Sequence, residues 1–270
     1  MSPIEAAVSP FQAAVLGAVQ GLTEFLPISS SAHLYVIPTL LGWPYAGVAF
    51  DVALHWGTLI ALLVAFWKDW ITLARDAFTG AGPERDTARG TLLKLAVASV
   101  PAAIAGLLLE DLADTTLRAL PIQAATLVLF GFLLWWVDRS RPAGRELRDP
   151  GWWTCLVMGS AQALALVPGV SRSGVTITSG RACGLARVSA ARFSFLLATP
   201  ITFGAGLLKM KDLSPDLPAG TLAIGVVSAA VIGFLAIRGL IRWLGRAGFG
   251  VFFAYRLFLA AIILLNLRSL

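Results

Sequence analysis

Glu24, the serines at 29, 30 and 31, and His33 fall within one short stretch, Gln20 to His33, reading Gln-Gly-Leu-Thr-Glu-Phe-Leu-Pro-Ile-Ser-Ser-Ser-Ala-His. A hydroxyl beside a base is how a weak nucleophile becomes competent, and the stretch supplies both. Gln20 lies one helical turn before Glu24, so the two share a face. The residues before it, Phe11 to Val19, are apolar and small. A carboxylate in such surroundings is costly and implies a task, either accepting a proton or ligating a divalent cation through oxygen. The structural alternative is a protonated glutamic acid bonded to the serine loop. Serines at an elbow are also ordinary helix caps, and a lone histidine is usually a satisfied core residue. The concentration of polar groups favours chemistry for Glu24, Ser30 and His33.

A second stretch, Val-Pro-Gly-Val-Ser-Arg-Ser-Gly at 167–174, sets Arg172 between Ser171 and Ser173 with Gly169 and Gly174 nearby. The planar guanidinium suits phosphate, and glycines let backbone N–H groups form a concave nest, so the stretch reads as an anion cradle. Pairing of Arg172 with Glu24 is compatible with that reading. Arg256 lies inside the last apolar run and must face the interior; ligand binding and pairing with an acid both stay open. Asp51 and His55, one turn apart at the head of a run, read as a cap and an interfacial polar group, with a place facing the cavity as the alternative.

The elements that position these residues belong to a membrane protein. Of 270 residues 57% are hydrophobic and 13% charged, about half the charged share of a soluble domain. Apolar runs recur at 52–67, 92–109, 122–137, 193–208, 219–237 and 248–267, most near the ~17–25 residues that span a bilayer. They lack the two-residue alternation of a barrel strand. The basic residues, net charge +6, sit in short connections without an aromatic platform, which argues for topology signals and against nucleic acid. Cys155 and Cys183 have no metal-ligand spacing and read as packing residues. No basic region precedes the first apolar run, so the first helix is expected to be retained.

The segment from 11 to 42 is too long for one span and breaks at Pro27 to Ser31, predicting two half-helices with a polar elbow. The pattern then recurs. Val157 to Gln162 resembles Val15 to Gln20, and Pro168 to Gly174 occupies the place of Pro27 to His33 after a one-residue slip. The reading is an all-α integral membrane protein with inverted-topology repeats, six transmembrane spans and two re-entrant helical hairpins meeting near the midplane. Repeat one covers about 11–137, a basic cytoplasmic loop 138–150, and repeat two about 151–267, all one membrane domain. Fifteen Lys and Arg fall in the segments this layout puts inside, against four outside. Glycines at 225, 233, 239 and 245 would permit a homodimer.

With these two motifs the chain resembles the bacitracin-resistance family, the undecaprenyl-diphosphate phosphatases, over essentially its whole length. The resemblance implies hydrolysis of the terminal phosphate of a C55 polyprenyl diphosphate, recycling the lipid carrier for cell-wall synthesis. It also implies a bacterial inner-membrane location, an active site opening to the periplasmic side, and a divalent cation, Mg²⁺ or Ca²⁺. Carried over by motif position, Glu24, Ser30, His33 and Arg172 form the catalytic set. Ser29, Ser31, Ser171, Ser173, Gly169 and Gly174 lie near the phosphates, with Gln20 joining Glu24 as a metal ligand. Gln20 stands where the family also uses Glu, which removes one carboxylate from such a site. Ser30 as nucleophile, with His33 or Glu24 as base, and His33 as nucleophile are both open. A transporter or lipid flippase using the same cavity is the alternative function.

Overall fold

The computed structural model describes residues 8–43, 45, 47–114, 116–141, 144–146, 149–209 and 218–266. Pro44, Arg148 and the connection at 210–217 lie outside the described residues, as do the side chains of Glu110, Asp111 and Asp114. Among the described residues every element is helical, apart from one isolated bridge between Arg145 and Leu185. The helices are α1 Pro10–Phe25, α2 Ser30–Leu40, α3 Val48–Ala65, α4 Trp67–Thr79, α5 Gly82–Asp114, α6 Leu120–Ser140, α7 Trp152–Ala163, α8 Arg172–Ala182, α9 Arg187–Lys209, α10 Ala219–Leu244 and α11 Gly250–Leu265.

Four stretches are long and apolar enough to cross a membrane: residues 82–109 of α5, then α6, α9 and α10. The bent pair α3 and α4 makes a fifth if counted as one span. Large apolar side chains such as Ile60, Leu107, Val128, Leu207 and Val231 are exposed along these helices, which suits a hydrocarbon surround and not water. The chain is a multi-pass membrane protein. At 16 residues α11 is shorter than a full span. The hydrophilic connection expected after residue 67 is itself helical. It forms α4, bent by 69° from α3, and the start of α5. Its charged residues alternate with apolar ones at helical spacing, Lys68, Asp69, Arg75 and Asp76 against Trp70, Ile71 and Phe78, the pattern of an interfacial helix.

Small residues set the closest helix approaches. Gly17 and Gly21 of α1 face α10 so tightly that an added Cβ would strike the carbonyls of Gly225 and Ala229. Gly57 of α3 meets Val226 in the same way. The stripe Gly225, Ala229 and Gly233 is therefore buried inside the chain against α1 and α3. Gly225 and Gly233 are thus not free to mediate a dimer. Asp138, at the end of α6, accepts from Arg181 Nε at 3.1 Å and Arg187 Nε at 2.7 Å. Arg181 is fully buried and also donates to the Leu185 and Arg141 carbonyls. This arginine, read in sequence as a topology signal, ties α8 to α6.

α1 begins on a capping box, Ser9 with Gln12, and Pro10 occupies its first turn. It ends at Phe25, and α2 starts five residues later at Ser30. α7 continues as a short 3₁₀ turn, Leu164–Leu166, and α8 starts at Arg172. These two interruptions position the site.

Candidate active site

Both interruptions turn on a serine in the left-handed region. Ser29 has φ 74° and Ser171 φ 70°; among the described residues they are the non-glycine positions with positive φ. A β-carbon makes this conformation unfavourable, and such strain clusters at functional sites. Ser29 stands two residues after Pro27 and Ser171 three after Pro168, reproducing the one-residue slip between the two motifs. Each serine is the N-cap position of the following half-helix, although only Ser171 accepts a capping bond, from Gly174 N–H, so Ser30 and Arg172 are equivalent, each the first residue of α2 or α8. Two helix N-termini, each with unsatisfied N–H groups and a partial positive charge, converge there.

The elbows are fastened to one another. Gly169 N–H donates to Ser29 Oγ at 3.1 Å, and Ser173 Oγ donates to the Leu26 carbonyl at 3.3 Å. Ser29 and Ser31 share a hydroxyl contact of 3.2 Å, as do Ser171 and Ser173. Gly169, at φ 92°, packs where a side chain would collide with Thr126 and the Gln123 carbonyl. Beneath both elbows lies Arg256, fully buried. Its Nε donates to the Pro27 carbonyl at 2.6 Å and its Nη2 to the Val170 carbonyl at 3.2 Å. It bonds backbone carbonyls from both motifs and, among the described residues, no acid, while its Nη1 is buried without a hydrogen-bond partner. Gly174 leaves the room for it, since a Cβ there would lie 2.5 Å from Arg256 Nη2.

Glu24 is the centre of the assembly. Its Oε1 accepts from Arg172 Nη2 at 2.6 Å, and its Oε2 accepts from Ser30 Oγ at 2.7 Å. Gln20 Nε2 donates to the same Oε2 at 3.2 Å. The Ser30 hydroxyl therefore already points its proton at a carboxylate. Arg172 keeps a second nitrogen, Nη1, buried and without a hydrogen-bond partner. A buried, unsatisfied guanidinium nitrogen next to a cavity is a donor waiting for an acceptor. That cavity, about 260 Å³, is lined by Glu24, Ser30, His55, Gln162 and Arg172 on its polar side, with Ile201 among its apolar lining residues.

His33 does not line it. Its Nδ1–H donates to the Ser29 carbonyl at 2.6 Å and its Nε2 accepts from the Tyr255 hydroxyl at 2.7 Å, so neither ring nitrogen is left to take a proton from Ser30. The imidazole braces the strained Ser29 turn. Two cavity groups were not assigned to the site from sequence. His55, read as interfacial, places Nε2 3.6 Å from Glu24 Oε2. Gln162 is buried with neither amide atom partnered. It was visible in the sequence as the counterpart of Gln20, without a task.

The donor set suits a protein-held divalent cation poorly. Hard cations take six or more oxygens, several of them carboxylate. Here the one carboxylate has both oxygens engaged, one by a guanidinium, and Gln20 turns its nitrogen toward it. Among the described residues no group of three His, Cys, Asp or Glu side chains is placed to hold a metal.

Residues 13–262 match the family model of the bacitracin resistance protein BacA. The chain belongs to this family. It is 48% identical to an undecaprenyl-diphosphatase of Pelotomaculum thermopropionicum, over 96% of this chain and 98% of the relative. To the undecaprenyl-diphosphatase of Gemmatimonas aurantiaca it is 47% identical, over 96% and 98%. With that of Alcanivorax borkumensis it shares 45%, over 94% and 97%.

Proposed function

We propose that this chain is an undecaprenyl-diphosphate phosphatase, releasing the terminal phosphate of a C55 polyprenyl diphosphate in the bacterial cytoplasmic membrane. The observation that carries the reading is Glu24, held between the Ser30 hydroxyl and the Arg172 guanidinium. Glu24 takes the proton of Ser30 as its oxygen attacks the terminal phosphorus. Arg172, through the unpartnered Nη1, and the N–H groups at the starts of α2 and α8 bind the equatorial oxygens. Electrostatic stabilisation of this kind dominates phosphoryl transfer. The Ser30–phosphorus bond forms as the bridging P–O bond breaks, and the lipid monophosphate leaves. Ser29, Ser171 and Ser173 hold the elbows in register, and His33 supports them through Ser29.

In this proposal the two broken segments are re-entrant hairpins of inverted repeats, with α3, α5, α6, α9, α10 and α11 as six spans. The matched φ angles of Ser29 and Ser171 and the equivalence of Ser30 with Arg172 support it. The asymmetry of basic residues supports a site open to the periplasmic side. The divalent cation is proposed to arrive on the diphosphate oxygens and not on a cage of protein carboxylates. A transport function would explain a cavity, but not a serine whose proton is directed at a carboxylate.

The test is phosphate release from undecaprenyl diphosphate by the purified protein in detergent. Wild type is expected to turn over. Ser30→Ala and Arg172→Ala are expected to lose at least about 10²-fold in kcat, the scale of removing one transition-state contact. Wild-type rates in both variants would refute the assignment to this site.

A further inference from the structure

The proton inventory of the reaction leaves one acceptor unassigned. After Ser30 is phosphorylated, Glu24 carries the serine proton and must return it when the Ser30–phosphorus bond breaks. The water that attacks the phosphoserine must give its own proton elsewhere. The titratable groups lining the cavity are Glu24, Arg172 and His55. Arg172 is a permanent cation and accepts nothing. His33 has both ring nitrogens bonded away from the cavity.

We propose that His55 is a catalytic residue, the general base that activates water in the second step. Its tautomer is fixed by the fold. The carbonyl of Asp51, one turn earlier on α3, can only accept, so Nδ1 carries the proton and donates it at 2.8 Å. In the neutral ring Nε2 then carries the lone pair. It lies 3.6 Å from Glu24 Oε2, which in turn holds Ser30 Oγ at 2.7 Å. That separation is beyond a hydrogen bond, so Nε2 is not bonded to the carboxylate, yet it is close enough to share one reacting centre. The ring is only partly buried, as a base that must pass its proton to departing phosphate or solvent should be.

The step balances. Water oxygen bonds to phosphorus and its proton goes to His55 Nε2. The Ser30–phosphorus bond breaks, and Glu24 returns its proton to Ser30 Oγ. Inorganic phosphate leaves, and His55 passes its proton to the phosphate or to water. No redox change or further reactant is involved.

This inference rests on the phosphatase reading, and the two can fail separately. The experiment follows rapid-quench turnover of a short prenyl diphosphate by wild type, His55→Ala and His55→Gln in detergent, reading lipid monophosphate, free phosphate and phosphorylation of Ser30 by mass spectrometry. Absence of turnover in wild type would remove the phosphatase reading itself. With wild type active, the His55 variants are expected to give a burst approaching one lipid monophosphate per enzyme. Free phosphate should then appear about 10²-fold or more slowly, with phosphoserine accumulating at 30. Added imidazole should accelerate phosphate release in His55→Ala. Turnover within threefold of wild type, or uniform slowing without a burst, would overturn the proposal. Failure of both variants to reach the wild-type thermal midpoint would assign His55 to the fold and overturn it equally.

Discussion

At the scale of single residues, chemistry depends on what each polar atom is already bonded to. Ser30 is poised because its hydroxyl already donates to Glu24, and Arg172 is poised because half of its fork is unoccupied. Arg172→Lys is therefore not conservative: an ammonium can hold Glu24 but cannot also present a planar pair to phosphate. A loss of about tenfold or more in kcat/KM is expected, measured as phosphate release. The pairing of Glu24 with Arg172 stood in the sequence only as compatible with the anion cradle, since Arg256 also lies in an apolar run and either arginine could meet the acid. The division of labour between the two histidines was not legible there. Proximity along the chain favoured His33, three residues from Ser30, whereas one helical turn of α2 carries its ring behind the elbow to Tyr255. His55 lies far from the motif in sequence and reaches Glu24 only because α3 packs beside α1. The metal reading has its own check at this scale. If the cation travels with the diphosphate, a chelator should slow phosphate release while leaving the thermal midpoint of the substrate-free protein unchanged. A fall of several degrees would place the cation in the protein.

At the scale of elements, two strained serine turns are held by bonds between motifs more than a hundred residues apart. Arg256 is their common anchor, so Arg256→Met strands the Pro27 and Val170 carbonyls. A loss of roughly 2–5 kcal/mol is expected, read as a lower midpoint in thermal or denaturant unfolding. An unchanged midpoint would mean the elbows hold themselves. The breaks in the apolar runs predicted both elbows, but not that the turns would fall on Ser29 and Ser171. The anchor could not be chosen, because a buried arginine can pair with an acid, a ligand or the backbone, and only the packing of α11 under both loops decides. The glycines of α10 carry the same lesson. Their spacing announced a close helix contact, but not that α1 and α3 would occupy it.

At the scale of the molecule, the cavity and the substrate differ in size. About 260 Å³ accommodates a diphosphate and the first part of a prenyl chain, not fifty-five carbons. The tail must lie outside, along the apolar exterior of the helices. A C15 prenyl diphosphate is therefore expected to be hydrolysed with a kcat within about tenfold of the C55 lipid, any preference appearing in KM, since tail contacts then add uniform binding. A kcat lower by about 10³-fold for the short chain would mean that the tail is read inside the protein. The membrane class was legible from composition, and the six apolar runs from the order of the residues. The helix α4 was not, because a run of mixed charge looks the same whether it crosses water as a loop or lies folded at an interface. The central claim is that two elbows deliver a serine and an arginine to one carboxylate for phosphoryl transfer through that serine. Its most direct test is to quench the wild-type enzyme during turnover of undecaprenyl diphosphate and locate the covalent phosphoryl group. Phosphoserine at Ser30 is the predicted result; a phosphoryl group on His33 or His55, with Ser30 unmodified, would contradict it.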